Sequence, residues 1–143
     1  MADRHRGGGR PRALVASPVV KWLLLFLGGG LGASLRFALA TWVDARLPLA
    51  FPWGTLAVNA AGCFAIGLVA TYADEHHVIG PAARLFLVAG MLGGFTTFST
   101  FGLETWSLVE DRMPWLALAN VVASVVVGLI AVILGVVIAR EVS

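Results

Sequence analysis

At the end of its third apolar run the chain reads Gly93-Gly94-Phe95-Thr96-Thr97-Phe98-Ser99-Thr100-Phe101-Gly102. Adjacent glycines weaken a helix, and hydroxyl side chains compete for its backbone hydrogen bonds. Non-helical backbone at membrane depth is tolerated only where it is buried in protein or lines a cavity. The segment therefore predicts a break near residues 93–97 in a membrane helix, and this break indicates an ion pathway. A glycine kink that serves only helix packing is the alternative.

The composition places the rest of the chain in a lipid bilayer. Of its 143 residues, 59% are hydrophobic and 13% are charged, and the mean hydropathy is +0.89. A hydrocarbon core of roughly 30 Å needs about 20 apolar residues per helix, so the chain has room for four spans, a tail and short turns. The single cysteine, Cys63, excludes an internal disulfide and a metal site built from several cysteines.

Outward from the broken segment, the sequence predicts an all-α membrane protein with four transmembrane helices. Polar or proline-containing turns, such as Gly80-Pro81, separate the apolar runs. The predicted helices cover about residues 18–42, 53–73, 82–109 and 115–139. They form one channel domain, residues 18–141. The basic tail at residues 1–17 lacks apolar periodicity and is predicted to be disordered.

The basic residues bear on partners and on topology. The formal net charge is +2 and the pI is about 9.3, but the excess lies mostly in the tail, at Arg4, Arg6, Arg10 and Arg12. This placement favours anionic lipid headgroups over nucleic acid as the tail's partner. A secretory signal ending at Ala38-Leu39-Ala40 is an alternative for the first run, although three further spans follow it.

The positive-inside rule gives the membrane core almost no preferred orientation. With the N-terminus inside, that side holds seven basic residues, Arg4, Arg6, Arg10, Arg12, Lys21, Arg84 and Arg140, and the other side holds two, Arg46 and Arg112. Without the four tail arginines the count is three against two, so the core can insert either way.

Polar residues inside the first two spans are candidate site residues. Arg36 lies within the first span, where burial costs about 2.5 to 3.5 kcal/mol on insertion scales. It either snorkels to headgroups or supplies a positive potential that recruits anions to a vestibule. Thr55 and Asn59 share one face of the second span at i, i+4 spacing. The Asn59 amide either bridges two helices or donates to a partly dehydrated anion.

The third and fourth spans add aromatic and polar candidates. Phe98 and Phe101 share a helix face that contacts lipid or core, or that presents positive ring edges to a small anion. Asn120, Ser124 and Gly128 recur every four residues, which predicts a packing face first and a polar track second. Glu104 lies late in the third span, and the other spans carry no internal carboxylate, so a buried proton-coupling acid is unsupported.

Three segments together resemble the Fluc family of fluoride channels, also called CrcB. The matching segments are Gly29-Gly30-x-Gly32-Ala33-x-x-Arg36-Phe37, Gly54-Thr55-Leu56-x-Val58-Asn59-x-x-Gly62 and Gly93-Gly94-Phe95-Thr96-Thr97-Phe98-Ser99-Thr100-Phe101, with Glu104 after the last. They occur in order in three successive spans. With the four-span layout, the resemblance extends over about Lys21 to Ala139.

The resemblance implies a dual-topology homodimer of two antiparallel subunits, with two fluoride pores and a structural sodium ion at the dimer centre. By motif position, the carbonyls of Gly93 and Thr96 are expected to hold the sodium. The other expected roles are an aromatic box of Phe98 and Phe101, a pore donor at Asn59 with Thr55 nearby, a track hydroxyl at Ser124 and a vestibule charge at Arg36. The chain departs from the family at Asn120, where many relatives have tyrosine, and at Gly128, where some have serine.

The function expected from this resemblance is passive export of cytoplasmic fluoride through a multi-pass protein of the plasma or inner membrane. The protein is expected to be neither an enzyme nor ATP-driven. Two rivals share its size: a small dual-topology drug/proton antiporter, which needs a membrane-embedded carboxylate, and a membrane scaffold subunit whose glycines serve only packing.

Overall fold

The computed structural model describes residues 17–48, 50–76 and 79–142. Within these ranges, four helical stretches are long and apolar enough to cross a membrane: Pro18–Asp44, Trp53–Glu75, Pro81–Glu110 and Pro114–Glu141. This finding confirms the predicted all-α architecture of four spans. Of the predicted basic tail, only Ser17 lies within the described residues.

The third span is divided into several elements, whereas the other three spans are single helices. In chain order the elements are α1 (Pro18–Asp44), α2 (Trp53–His76), α3 (Pro81–Arg84), a π-helical segment (Leu85–Leu92), α4 (Gly93–Phe95), α5 (Phe98–Glu110) and α6 (Pro114–Glu141). Between α4 and α5, Thr96 (φ −79°, ψ 156°) and Thr97 (φ −148°, ψ 120°) have extended backbone. The sequence did not predict the π-helical turns, because the same apolar residues suit an α-helix equally well.

Proline begins three of the described helical stretches. Pro18, Pro81 and Pro114 occupy the first helical position, where the missing N–H has no helical partner to lose. The hydroxyl of Ser17 also accepts the N–H of Val20 at 3.4 Å, which caps α1. These residues explain where the spans start.

Glycines bring α1 into backbone contact with the third span. An added Cβ at Gly28 would lie 2.6 Å from the carbonyl oxygen of Phe86, and one at Gly94 would lie 2.5 Å from that of Gly29. At Gly32 it would overlap the Met91 carbonyl. Close packing of this kind is how helices associate where lipid removes the hydrophobic driving force. The π-helical segment and α4 therefore lie directly on α1.

The second pair of spans packs in the same way. A Cβ at Gly67 of α2 would overlap the carbonyl of Val132, and one at Gly135 of α6 would lie 2.8 Å from the Leu68 nitrogen. At Gly128 the nearest atom would be the Cys63 sulfur at 3.5 Å, an ordinary contact. Gly128 therefore belongs to the face of α6 that packs on α2.

Charged side chains join the helices at the two ends of the bundle. At one end Asp74 and Arg84 lie 2.7 Å apart, and Glu75 and Arg140 lie 3.5 Å apart. At the other end the Asp44 carboxylate accepts the N–H of Gly54 at 2.8 Å, which closes the turn between α1 and α2. Exposed ion pairs contribute only about 0 to 1 kcal/mol each, so they direct the turns more than they stabilise the bundle.

Candidate functional site

A cavity of about 440 Å³ opens beside the divided third span. Its walls include six of the eight residues to which the family resemblance gives a role: Asn59, Gly93, Thr96, Phe98, Phe101 and Ser124. Apolar side chains such as Ile66 and Val88 complete it. Thr55 and Arg36 do not line this cavity. The extended backbone at Thr96 and Thr97 thus faces a space, which is the setting in which irregular backbone is tolerated at membrane depth.

Asn59 holds the backbone between α4 and α5 in place. Its Nδ2 donates to the carbonyl of Thr97 at 2.9 Å, and its Oδ1 accepts the N–H of the same residue at 2.8 Å. The amide thereby satisfies both polar groups of a residue that no helix satisfies. One hydrogen of Nδ2 is left over, because a side-chain amide carries two. Of the two interpretations of Asn59, the structure shows the bridge between helices, and the role of anion donor stays a prediction.

The carbonyls of Gly93 and Thr96 lose their helical donors. In a continuous α-helix they would accept the N–H groups of Thr97 and Thr100. The N–H of Thr97 instead donates to Asn59, and that of Thr100 donates to the Thr97 hydroxyl at 3.2 Å. Thr97 is thus the N-cap of α5. Both of the carbonyl oxygens that the sequence singles out are free of helical hydrogen bonds.

Phe98 and Phe101 form a ring pair on the first turn of α5. Their centroids lie 5.4 Å apart with a tilt of 41° between the ring planes. Phe98 is 83% exposed in the single chain, whereas Phe101 is half-buried. Both residues line the cavity, and the edges of aromatic rings carry partial positive charge.

Thr55 and Glu104 form a polar contact outside this cavity. Thr55 is 6% exposed, and its hydroxyl donates to Glu104 Oε1 at 2.9 Å. Glu104 also lines a second cavity of about 390 Å³ together with Asp44 and Asp111. From the sequence, Glu104 is a carboxylate late in the third span and follows the last matching motif, with no partner indicated. Its partnership with Thr55 links positions 49 residues apart, and the only sequence signal for it is the polar face that Thr55 shares with Asn59.

On α6, Ser124 and Asn120 face the third span. Ser124 lines the first cavity, and its hydroxyl is buried without a hydrogen-bond partner among the described residues. Asn120 is 1% exposed, and its Nδ2 donates to the Thr105 hydroxyl at 2.8 Å. Thr105 was not singled out by the sequence, because one threonine in a membrane helix has many ordinary explanations.

Arg36 lies on the part of α1 that contacts neither cavity. It is partly exposed and makes no hydrogen bond or ion pair with any residue in the described ranges. Both interpretations of Arg36, contact with headgroups and a positive charge at a vestibule, therefore remain predictions.

Comparison with known proteins finds relatives that match this chain over most of its length. The family model described as CrcB-like protein, Camphor Resistance (CrcB), matches residues 23–136. The "Fluoride-specific ion channel FluC" of Solibacter usitatus is 47% identical over 122 residues, which cover 85% of this chain and 100% of that protein. The protein of the same name from Thermus thermophilus is 45% identical over 117 residues, covering 82% of this chain and 91% of the relative.

Proposed function

This chain belongs to the CrcB family, and we propose that it is a fluoride-specific ion channel rather than an enzyme. The observation that carries the proposal is the cavity beside the divided third span, which gathers an amide, a hydroxyl and two tilted aromatic rings. The named relatives, at 45–47% identity, support fluoride as the ion. The four apolar helices make it a multi-pass membrane protein.

The chemistry of the cavity suits a small, tightly hydrated anion. Such an ion crosses a membrane only where hydrogen-bond donors replace its water at close range. The cavity provides donors without a fixed charge that would hold the ion too strongly: the remaining N–H of Asn59, the Ser124 hydroxyl and the ring edges of Phe98 and Phe101. Thr55 near its Glu104 partner and Arg36 at an outer vestibule complete the proposed path.

The proposed assembly is a homodimer of two antiparallel copies. Two observations support it. The basic residues of the core are almost evenly divided between its two sides, so a copy inserts in either orientation. In addition, Phe98 is 83% exposed in the single chain although it lines the proposed pore, and a second copy packed there would enclose the cavity.

A structural sodium ion at the dimer centre is part of the proposal. The oxygen atoms at Gly93 and Thr96 fit this hard cation, because carbonyls without helical donors are the ligands it prefers. A sodium ion held by these two carbonyls would supply a static positive charge beside their dipoles. Asn59 contributes by accepting the N–H of Thr97, which leaves the Gly93 carbonyl without that donor.

Flux measurements on the purified protein in liposomes separate this function from its rivals. A channel carries fluoride down its gradient without a proton gradient, whereas a drug/proton antiporter requires one and carries an organic cation. A scaffold carries neither. We expect fluoride efflux that is the same with and without an imposed pH difference. Folded protein that exports a cationic dye only under a proton gradient would replace the channel with the antiporter.

A further inference from the structure

The ring pair of the proposed pore is carried by a helix whose backbone is separated from the preceding helix. α5 begins at Phe98, directly after two extended residues, and its rotation decides where Phe98 and Phe101 point. Asn59 fixes only the residue in front of α5, at Thr97. Side-chain contacts farther along α5 must therefore set its rotation against α2 and α6.

One such contact is a hydrogen-bonded relay from α6 to the backbone of the second ring residue. Asn120 Nδ2 donates to the Thr105 hydroxyl at 2.8 Å, and this hydroxyl donates to the carbonyl of Phe101 at 2.7 Å. The direction of the relay is forced by chemistry. The Phe101 carbonyl only accepts, so it takes the single hydrogen of Thr105, and the Asn120 atom that faces Thr105 must be the donor.

The surroundings of the relay give it strength. Asn120 is 1% exposed, and a hydrogen bond in a site closed to water is strengthened by the low local dielectric. The amide has no other described partner, since its Oδ1 is buried without a hydrogen bond. Asn120 therefore depends on Thr105, and a rotation of α5 would break the Asn120–Thr105 bond between the two helices, whereas the Thr105–Phe101 bond lies within α5 and would move with it.

We propose that Thr105 and Asn120 are positioning residues of the channel: they clamp α5 to α6 and so fix the Phe101 ring at the cavity. Neither residue lines the cavity, so neither is proposed to touch the ion. The inference rests on the proposed function and assigns a role to Asn120, the position at which this chain departs from the tyrosine of the family resemblance.

Thr105→Val tests the relay, because valine keeps the shape of threonine and removes the hydroxyl. We expect fluoride flux and the fluoride-to-chloride flux ratio both to fall, the flux by about tenfold. Loss of a buried hydrogen bond changes the population of the conducting arrangement of α5 by about this factor. Thr105→Ser keeps the hydroxyl and is expected to restore both quantities. Thr71→Val is the matched control, since half-buried Thr71 makes no side-chain hydrogen bond in the described ranges.

The double variant Thr105→Val with Asn120→Leu separates loss of the relay from loss of folding, because it removes both polar side chains and leaves neither of them unpaired. It is expected to assemble and to match the single Thr105→Val variant in flux ratio, since both break the same relay. A Thr105→Val protein with wild-type flux and ion ratio would overturn the proposal. So would a Thr105→Ser protein as impaired as Thr105→Val. Failure of the wild-type chain to conduct fluoride would instead refute the proposed function.

Discussion

Asn59 is the residue on which the local structure of the site depends most directly. Its amide makes two hydrogen bonds to the backbone of Thr97, so the conformation between α4 and α5 is fixed by a side chain of a different span. Sequence periodicity placed Asn59 on a polar face of the second span, but it left open whether the amide bridges helices or donates to an anion. Periodicity gives the face of a helix and not its partner, which here lies 38 residues away.

Asn59→Leu removes both bonds while keeping a side chain of similar size. Because the N–H and carbonyl of Thr97 are then left unpaired in a buried place, we expect the free energy of unfolding to fall by about 2 to 5 kcal/mol. Thermal unfolding of the purified protein in detergent measures this loss. Leu56→Met, on a half-buried apolar residue of the same helix, is the control. Equal unfolding temperatures for Asn59→Leu and the wild type would contradict the assignment.

Phe98→Ile tests the ring pair, since isoleucine is apolar but has no positive ring edge. We expect fluoride flux to be abolished while the protein still elutes as the same oligomer in size-exclusion chromatography. Phe26→Ile is a matched control, because Phe26 is 79% exposed, comparable to Phe98, and lines neither cavity. Normal flux from the Phe98 variant would show that the rings serve only packing.

At the scale of elements, the helices follow from apolar runs and proline starts, whereas the internal structure of the third span does not. Glycine pairs and hydroxyl residues indicate where backbone is weak, yet they do not distinguish π-helical turns at Leu85–Leu92 from α-helical ones. The sequence also does not predict which side chains hold α5 against the neighbouring spans. Thr55 with Glu104 and Thr105 with Asn120 join different spans, and their meeting depends on helix rotation.

Gly94→Ala tests the backbone contact between α1 and α4. The new Cβ would lie 2.5 Å from the carbonyl oxygen of Gly29, and neither backbone can move without separating the helices. We expect a loss of about 1 to 3 kcal/mol or more of stability, seen as a lower unfolding temperature and less monodisperse protein. Gly30→Ala on α1 is the control, because its Cβ meets no atom of the described residues within 4 Å. Equal behaviour of the two variants would contradict this packing.

At the scale of the whole molecule, the distribution of charge controls how a copy enters the membrane. The tail arginines lie outside the described residues, but they change the count of basic residues from three against two to seven against two. An antiparallel homodimer requires both orientations. The tail therefore favours one orientation, whereas the core permits both.

Replacing Arg4, Arg6, Arg10 and Arg12 by glutamine measures the influence of the tail. We expect the wild-type chain to populate both orientations with an excess of N-terminus inside, and the variant to approach equal amounts. Labelling of terminal cysteines in intact cells, in a Cys63→Ala background, reports the ratio. A single orientation in both proteins would contradict the homodimer and require an oppositely inserted partner.

The most direct test of the central claim is the efflux of fluoride from liposomes that contain the purified wild-type protein, recorded with a fluoride electrode beside parallel vesicles loaded with chloride. We expect rapid fluoride efflux once a potassium ionophore removes the opposing voltage, and chloride efflux no faster than from vesicles without protein. Monodisperse, folded protein that releases no fluoride, or that releases chloride equally well, would contradict it.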